Sequence, residues 1–422
     1  MKPSKRSRNF LLLISRRLAT TVLAIAVTLA IAATQAARAQ TFTVIHNFTD
    51  GQDGATPTAR LTTDKAGNLY GTASKGGGGF GTVYKLTRKN GSWVFTPLYS
   101  FQGGVDGAAP AALGFGPDGA LYGTTTSAGV EGCGGNGCGT VFSIKPGVSA
   151  CTTALCPWAE TVLYSFTGGA DGGGPKFANA LVFDQAGNIF GTAGVVYELS
   201  PSGGHWTESV LYNFPLSQGS GYAPYAPYAG VIFDKAGNLY GTTAGGDDLE
   251  GDCIPSECGA VYELTPSGSG WIEATLWTGF PLDSLMYAGL ISDQSGNLYG
   301  AIAEGGASGG NVFEVTPDHG YQQLYGFPGP SRCGPWDSLV MDATGNLYGA
   351  AFCDGVNFRG VIFKLTLSKG SWRYSSLHDF AGGADDGSYP IGGVVLDANG
   401  NLYGTTSAGG LYSQGVVWEI TP

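Results

Sequence analysis

Asp64-Lys65-Ala66-Gly67-Asn68-Leu69-Tyr70-Gly71 is the stretch that decides the fold, because it recurs with small changes seven times. The other copies occupy 116–123, 184–191, 234–241, 293–300, 342–349 and 397–404. Their spacing averages about 55 residues, within reach of propeller blades of ~40–50 residues plus loops. Each copy reads as a hairpin. Asp-x-x-Gly-Asn reverses the chain, with Gly or Asn supplying the positive φ of a tight turn, and Leu-Tyr-Gly starts the next strand.

Around this phrase, each period holds four strand-like pieces. The first leads into the Asp, as in Ala229-Gly-Val-Ile-Phe-Asp234, and the second is Leu-Tyr-Gly-Thr-Thr. The third is Gly-Thr-Val-Tyr-Lys-Leu-Thr at 81–87, echoed at 259–265 and 360–366. The fourth carries a Trp and runs to a Phe, at 93–101, 158–166 and 206–214. Apolar and polar residues alternate in the third and fourth pieces, as in strands with one buried face. Four antiparallel strands per repeat, seven times over, predict an all-β, seven-bladed β-propeller.

The ends of this array are complementary. Residues 43–48, Thr-Val-Ile-His-Asn-Phe, match a fourth piece, and 415–421, Gly-Val-Val-Trp-Glu-Ile-Thr, match a third. The N-terminal piece is therefore expected to complete the last blade, closing the ring and removing its open edge. A linear solenoid would need polar caps instead.

Residues 1–39 read as a cleaved signal peptide, leaving a single propeller domain over 40–422. Lys2, Lys5, Arg6, Arg8, Arg16 and Arg17 form a basic region, an apolar run covers 18–33, and Ala37-Arg38-Ala39 is a cleavage pattern. An uncleaved anchor is the competing reading, since the run approaches spanning length. Arg16-Arg17 also permits twin-arginine export, though its flanks match poorly. The mature chain is expected to be a secreted monomer, periplasmic or extracellular, with no membrane insertion.

Composition agrees with many short strands joined by tight turns: 72 of 422 residues are Gly, and only 13% are charged. The net charge of −11 argues against nucleic acid, which needs a basic face. The eight cysteines form three Cys-x4-Cys pairs, Cys133/Cys138, Cys151/Cys156 and Cys253/Cys258, with Cys333 and Cys353 left as partners. In an exported chain these are expected to be disulfides. Zinc would need His/Cys clusters at ligand spacing, and the sequence has none.

Gly-Asn-Leu-Tyr-Gly-Thr-Thr, then Gly-Gly, then Gly-Thr-Val-Tyr-Lys-Leu-Thr, resembles the GloVer tandem repeat of secreted bacterial proteins of the choice-of-anchor type. The resemblance covers essentially all of the mature chain and implies an exported repeat protein without an assigned activity. Many such chains end in a surface-anchoring segment. Here the sequence to Pro422 stays strand-like, so a freely soluble protein is expected. The shorter Asp-x-x-Gly-Asn-Leu-Tyr core is also similar to NHL and gluconolactonase-type propellers.

Candidate site residues fall in the fourth-to-first and second-to-third loops, which share one face of a propeller and are where sequence varies. Asp53, Asp106, Asp171 and Asp385 precede inner strands in Gly-rich turns. They could ring the channel mouth and hold Ca²⁺ with turn carbonyls, or they are ordinary Asp-Gly turn residues. Blade 3 has almost no second-to-third loop, whereas blades 2 and 4 carry the long loops with Cys133/Cys138 and Cys253/Cys258. A notch over blade 3 is therefore expected, with Tyr222, Tyr225 and Tyr228 beside it. Tyr287, Trp336 and Tyr389 are aromatic candidates of the same kind. A tyrosine presents an apolar face with a polar tip, which suits a glycan, peptide or cell-surface ligand.

The histidines offer little to catalysis. His46 and His378 stand where other blades have Tyr99, Tyr164, Tyr212, Trp277 and Tyr325, and His205 and His319 fall in turns. No Ser/His/Asp order or nucleophile elbow is present. The expected function is a non-catalytic exported binding or scaffold propeller, over blades 2–4 and without a cofactor unless Ca²⁺ binds. The alternative is a lactonase-type hydrolase or lyase with a divalent cation at the channel mouth.

Overall fold

The computed structural model describes residues 40–147, 158–175, 181–214, 226–244, 259–268, 270–278, 285–305 and 309–422. The signal-peptide expectation for 1–39 lies outside them, as do Tyr222, Tyr225, Cys151, Cys156, Cys253 and Cys258. Seven four-stranded sheets form a β-propeller. In blade 1 the strands run Thr62–Thr63, Leu69–Ala73, Thr82–Lys89 and Ser92–Ser100 from the channel outwards.

Blade 7 is built from both ends of the array. Its order is Val395–Leu396, Leu402–Thr406, Val416–Thr421 and then Thr41–Asn47, so the N-terminal strand is the outer strand of the last sheet. The Phe48 amide donates to the Gly415 carbonyl at 3.1 Å, and the Thr56 amide donates to that of Gln414 at 2.9 Å. The ring is closed as the matching end sequences require.

The Asp, Gly, Asn and Tyr of the recurring phrase each have a physical job. Asp64 Oδ1 accepts the amides of Ala66 and Asn68, both at 2.9 Å. Its Oδ2 accepts Asn68 Nδ2 at 2.7 Å and the Tyr70 hydroxyl at 3.0 Å. Gly67 supplies the positive φ (76°). The same acceptor pattern recurs at Asp342 and Asp397. Burial alone would raise these carboxyls, but the hydrogen bonds outweigh it and hold Asp64, Asp342 and Asp397 below the usual carboxylate range.

The Gly of Leu-Tyr-Gly is required by its cross-strand neighbour. In all seven blades it pairs directly with the third-strand aromatic: Gly71 with Tyr84, Gly123 with Phe142, Gly191 with Tyr197 and Gly241 with Tyr262. Gly300 with Phe313, Gly349 with Phe363 and Gly404 with Trp418 complete the set. The ring lies over the glycine, so that a Cβ on Gly404 would stand 2.3 Å from the Trp418 ring. The aromatic covers backbone that glycine leaves bare.

The first strands are shorter than the sequence suggests. In six blades only two residues pair, as at Ile232–Phe233, and blade 2 alone has a long one, Ala108–Phe115. The preceding residues, such as Gly230, line the central channel instead of joining a ladder.

Candidate functional site

The Gly-rich loops that carry the candidate carboxylates fold on their own aspartates. Asp106 Oδ2 accepts the Tyr99 hydroxyl at 3.0 Å and the Gln102 amide at 2.8 Å, and Oδ1 accepts the Gly104 amide at 3.2 Å. Asp171 repeats this with Tyr164, Thr167 and Gly169, and Asp53 with His46 and Thr49. Each of these carboxylates is therefore bonded back to the outer strand its loop follows, the turn role that was the alternative to a ring at the channel mouth. In blade 7 the residue is Asp386, which meets His378 Nε2 at 3.0 Å and the Ala381 amide at 2.8 Å. Asp385 is displaced from that role by one extra residue in Phe380-Ala-Gly-Gly-Ala-Asp-Asp-Gly387. Among the described residues, no group of three His, Cys, Asp or Glu side chains converges as metal ligands would.

The aromatic slot is a ladder running around the outside of the ring. His46 stacks on Phe95 at 4.1 Å, Trp277 on Tyr321 at 4.3 Å, Tyr325 on Tyr374 at 4.2 Å and His378 on Phe42 at 3.7 Å. Opposite Tyr99 and Tyr164 the partners are Glu160 and Glu208. Burial, with help from the Asp106 charge, pushes Glu160 up to about 7 from an ordinary 4.5. The folded state then holds a proton that the unfolded chain releases, so stability falls as pH rises from about 4.5 to about 7. Glu160→Gln is expected to gain about 1 kcal/mol at about pH 8, discounted because the group is half-exposed, and nothing near pH 4. Urea melts at both pH values check this. A loss of stability at the higher pH would contradict it.

The channel itself, about 200 Å³, is lined by small or apolar residues of the inner strands: Ala112, Val182, Gly230, Gly289 and Ser338. Two residues, Arg60 and Asp337, break the pattern. Arg60 stands four before the hairpin Asp, where blades 2 to 7 have Ala112, Ala180, Gly230, Gly289, Ser338 and Gly393. Its guanidinium reaches past Gly393 to the Ser338 carbonyl and pairs with Asp337 at 3.4 Å. Asp337 is 4% exposed and also accepts the Gly393 amide at 2.7 Å. A Cβ on Gly393 would lie 2.7 Å from Arg60, so glycine there makes room for the pair. This pair, a half-buried arginine on a buried carboxylate, is a feature the sequence reading missed.

Above the pair, at the channel mouth, four sequence-derived candidates and one further residue form a continuous arc. Tyr228 meets Tyr287 at 6.1 Å between centroids, and Tyr287 meets Trp336 at 5.1 Å. Trp336 meets Phe352 at 4.8 Å, and Phe352 meets Tyr389 at 5.3 Å. All five side chains are half-buried, and together they span blades 4 to 7. Trp336 and Asp337 are consecutive, which joins the aromatic rim to the polar channel.

Rigid loops position the arc. The Cys333–Cys353 disulfide ties the segment before Trp336 to the end of the second strand of blade 6, beside Phe352. The Phe352 amide donates to Gly334 at 3.0 Å, and Trp336 Nε1 donates to the Arg332 carbonyl at 3.1 Å. Glu304 holds Arg332 through a 2.6 Å ion pair. Tyr389 sits at a strained φ of 62°, held by its amide to Arg359 at 2.7 Å and its carbonyl to Ser407. A second disulfide, Cys133–Cys138, closes the blade 2 loop. The turn of blade 3 is as short as expected, with Ala193 bonded to Val195 at 2.9 Å.

The chain matches the family model described as the Gloeobacter/Verrucomicrobia repeat over residues 32–193 and 253–422. No curated protein matches it. Among solved structures, it resembles the extracellular domain of a protein described as a hybrid two-component system from B. thetaiotaomicron, at 12% identity and a TM-score of 0.52. That match covers 90% of this chain and 39% of the other, so this chain spans about two fifths of the neighbour's length. A gluconolactonase from Xanthomonas campestris aligns at 15% identity over 74% of this chain and 85% of its own, with a TM-score of 0.39. Among the described residues, no helix is long and apolar enough to cross a membrane.

Proposed function

The chain belongs to the Gloeobacter/Verrucomicrobia repeat family, and on that premise we propose that it is an exported, non-catalytic propeller that binds a carbohydrate along the arc at the channel mouth. The arc from Tyr228 to Tyr389 carries this reading. Sugar rings present flat C–H faces that pack on aromatic rings, while their hydroxyls need polar partners close by. The Arg60–Asp337 pair and the backbone at the mouth supply those partners. Preorganisation by a disulfide and by strained, well-bonded backbone lowers the ordering cost of binding. The two disulfides fit an oxidising compartment outside the cytoplasm.

The test is thermal unfolding and calorimetry of the full chain against a panel of neutral and acidic oligosaccharides. At least one is expected to raise the melting temperature, because a ligand of the folded state stabilises it. Trp336→Ala is expected to weaken that binding about thirtyfold, as loss of a central aromatic anchor does (about 2 kcal/mol). Binding unchanged in the variant, or no shift with any glycan, would overturn the proposal.

A further inference from the structure

The junction between blades 4 and 5 holds a second cavity, away from the mouth and beside the hairpin turns. Its origin lies in the sequence repeat. Five blades carry a Trp six residues before the aromatic slot: Trp93, Trp158, Trp206, Trp271 and Trp372. Each packs into the groove against the preceding blade. Trp93 meets Tyr403 at 5.9 Å, Trp158 meets Tyr70 at 6.4 Å and Trp372 meets Tyr299 at 6.3 Å. Trp206 and Trp271 join the equivalent clusters. In blade 5 the position is His319, exposed and at a φ of 68° in a turn. Where those five blades place an indole, a cavity of about 760 Å³ opens, with Phe233, Leu276 and Leu298 as apolar walls and Tyr240, Glu263 and His319 as polar ones.

The junction between blades 7 and 1 shows what the empty place is built to receive. There Trp93 Nε1 donates to Glu419 at 3.1 Å, and the Tyr403 hydroxyl donates to the same carboxylate at 3.2 Å. Glu263 is the counterpart of Glu419, since it pairs across from Tyr240 as Glu419 pairs across from Tyr403. Tyr240 donates to Glu263 at 2.7 Å. The tyrosine, the carboxylate and the apolar walls of an indole site are thus all present, and the indole is not supplied by the chain. Asp234, Asp293 and Glu263 against Lys235 leave the lining with three carboxylates and one ammonium, which favours a cation.

We propose that this cavity binds a small aromatic amine, with an indole-type ring in the groove, its N–H donated to Glu263, and its ammonium facing the carboxylates of the two turns. The probe is tryptamine, titrated into the full chain by calorimetry, with indole-3-propionate as the anionic comparison. Tryptamine is expected to bind saturably, and indole-3-propionate at least tenfold more weakly. His319→Trp, which fills the groove from within, is expected to lose at least tenfold in tryptamine affinity while keeping the wild-type melting temperature or exceeding it. Methyl-labelled wild-type protein gives a variant-independent reading: contacts from the ring protons to the Leu276 and Leu298 methyls are expected. Absence of saturable binding, equal affinity for the two probes, contacts elsewhere, or undiminished binding by folded His319→Trp would each overturn the proposal.

Discussion

A chain lacking residues 41–48 is expected to lose cooperative folding altogether. The strand Thr41–Asn47 is the outer strand of blade 7, and its side chains reach into two cores. Phe42 and Val44 pack with Phe380 and Trp418 between blades 6 and 7. Ile45 and the fully buried Phe48 pack with Tyr84 and Leu69 between blades 7 and 1. Full burial of such a side chain contributes about 1.5–3 kcal/mol, and even with Phe42, Val44 and Ile45 only partly buried the four together take a large share of the ~5–15 kcal/mol that holds a typical domain. The deletion also bares the edge of Val416–Thr421, a row of unpaired backbone groups open to another chain. Melting followed by circular dichroism, with light scattering, should show no cooperative transition and progressive aggregation. A truncated protein that stayed monodisperse and melted like the parent would refute closure by this strand.

Gly404→Val is expected to be the most damaging single substitution in a blade. A Cβ at this position would lie 2.3 Å from Trp418, whose ring is fully buried and has no space to retreat into. Overpacking a core costs about 1–3 kcal/mol, and occasionally more. With two further methyls pressed on an indole, about 3 kcal/mol is a fair expectation, or a fall of roughly 5 °C or more in melting temperature. Gly268→Ala is the matched control, because a Cβ there meets nothing within 4 Å and its φ is ordinary. A Gly404→Val protein that melted with the wild type would mean that the glycine–aromatic pair is not a packing constraint.

The parts of the fold that were legible are those written within one repeat. The Asp hairpin, the Leu-Tyr-Gly strand and the matching ends each depend on neighbours a few residues away, or on a plain sequence match. His46 and His378 were readable as stand-ins for tyrosine, and each meets a loop aspartate as Tyr99 and Tyr164 do. The site was less legible because it joins blades about 50 residues apart. Tyr228, Tyr287, Trp336 and Tyr389 stood out singly as loop aromatics, but nothing local says that their rings meet. Phe352 was missed because it follows Leu347–Ala351 without a break and reads as more strand. Arg60 left one usable signal, a charge in a column of Gly, Ala and Ser. Asp385 is a case where sequence register misleads: Ala-Asp-Asp-Gly lines up with Ala-Asp-Gly through its first Asp, whereas the folded loop uses the second.

If the arc at the channel mouth is the ligand surface, hydrogen–deuterium exchange with and without a saturating oligosaccharide should show it. Protection is expected in the segments around Tyr228, Tyr287, 332–337, Phe352 and Tyr389, with the hairpin turns at Asp64, Asp342 and Asp397 unchanged. Protection centred on those turns, or on blades 1 to 3, would place the ligand elsewhere and rule the arc out.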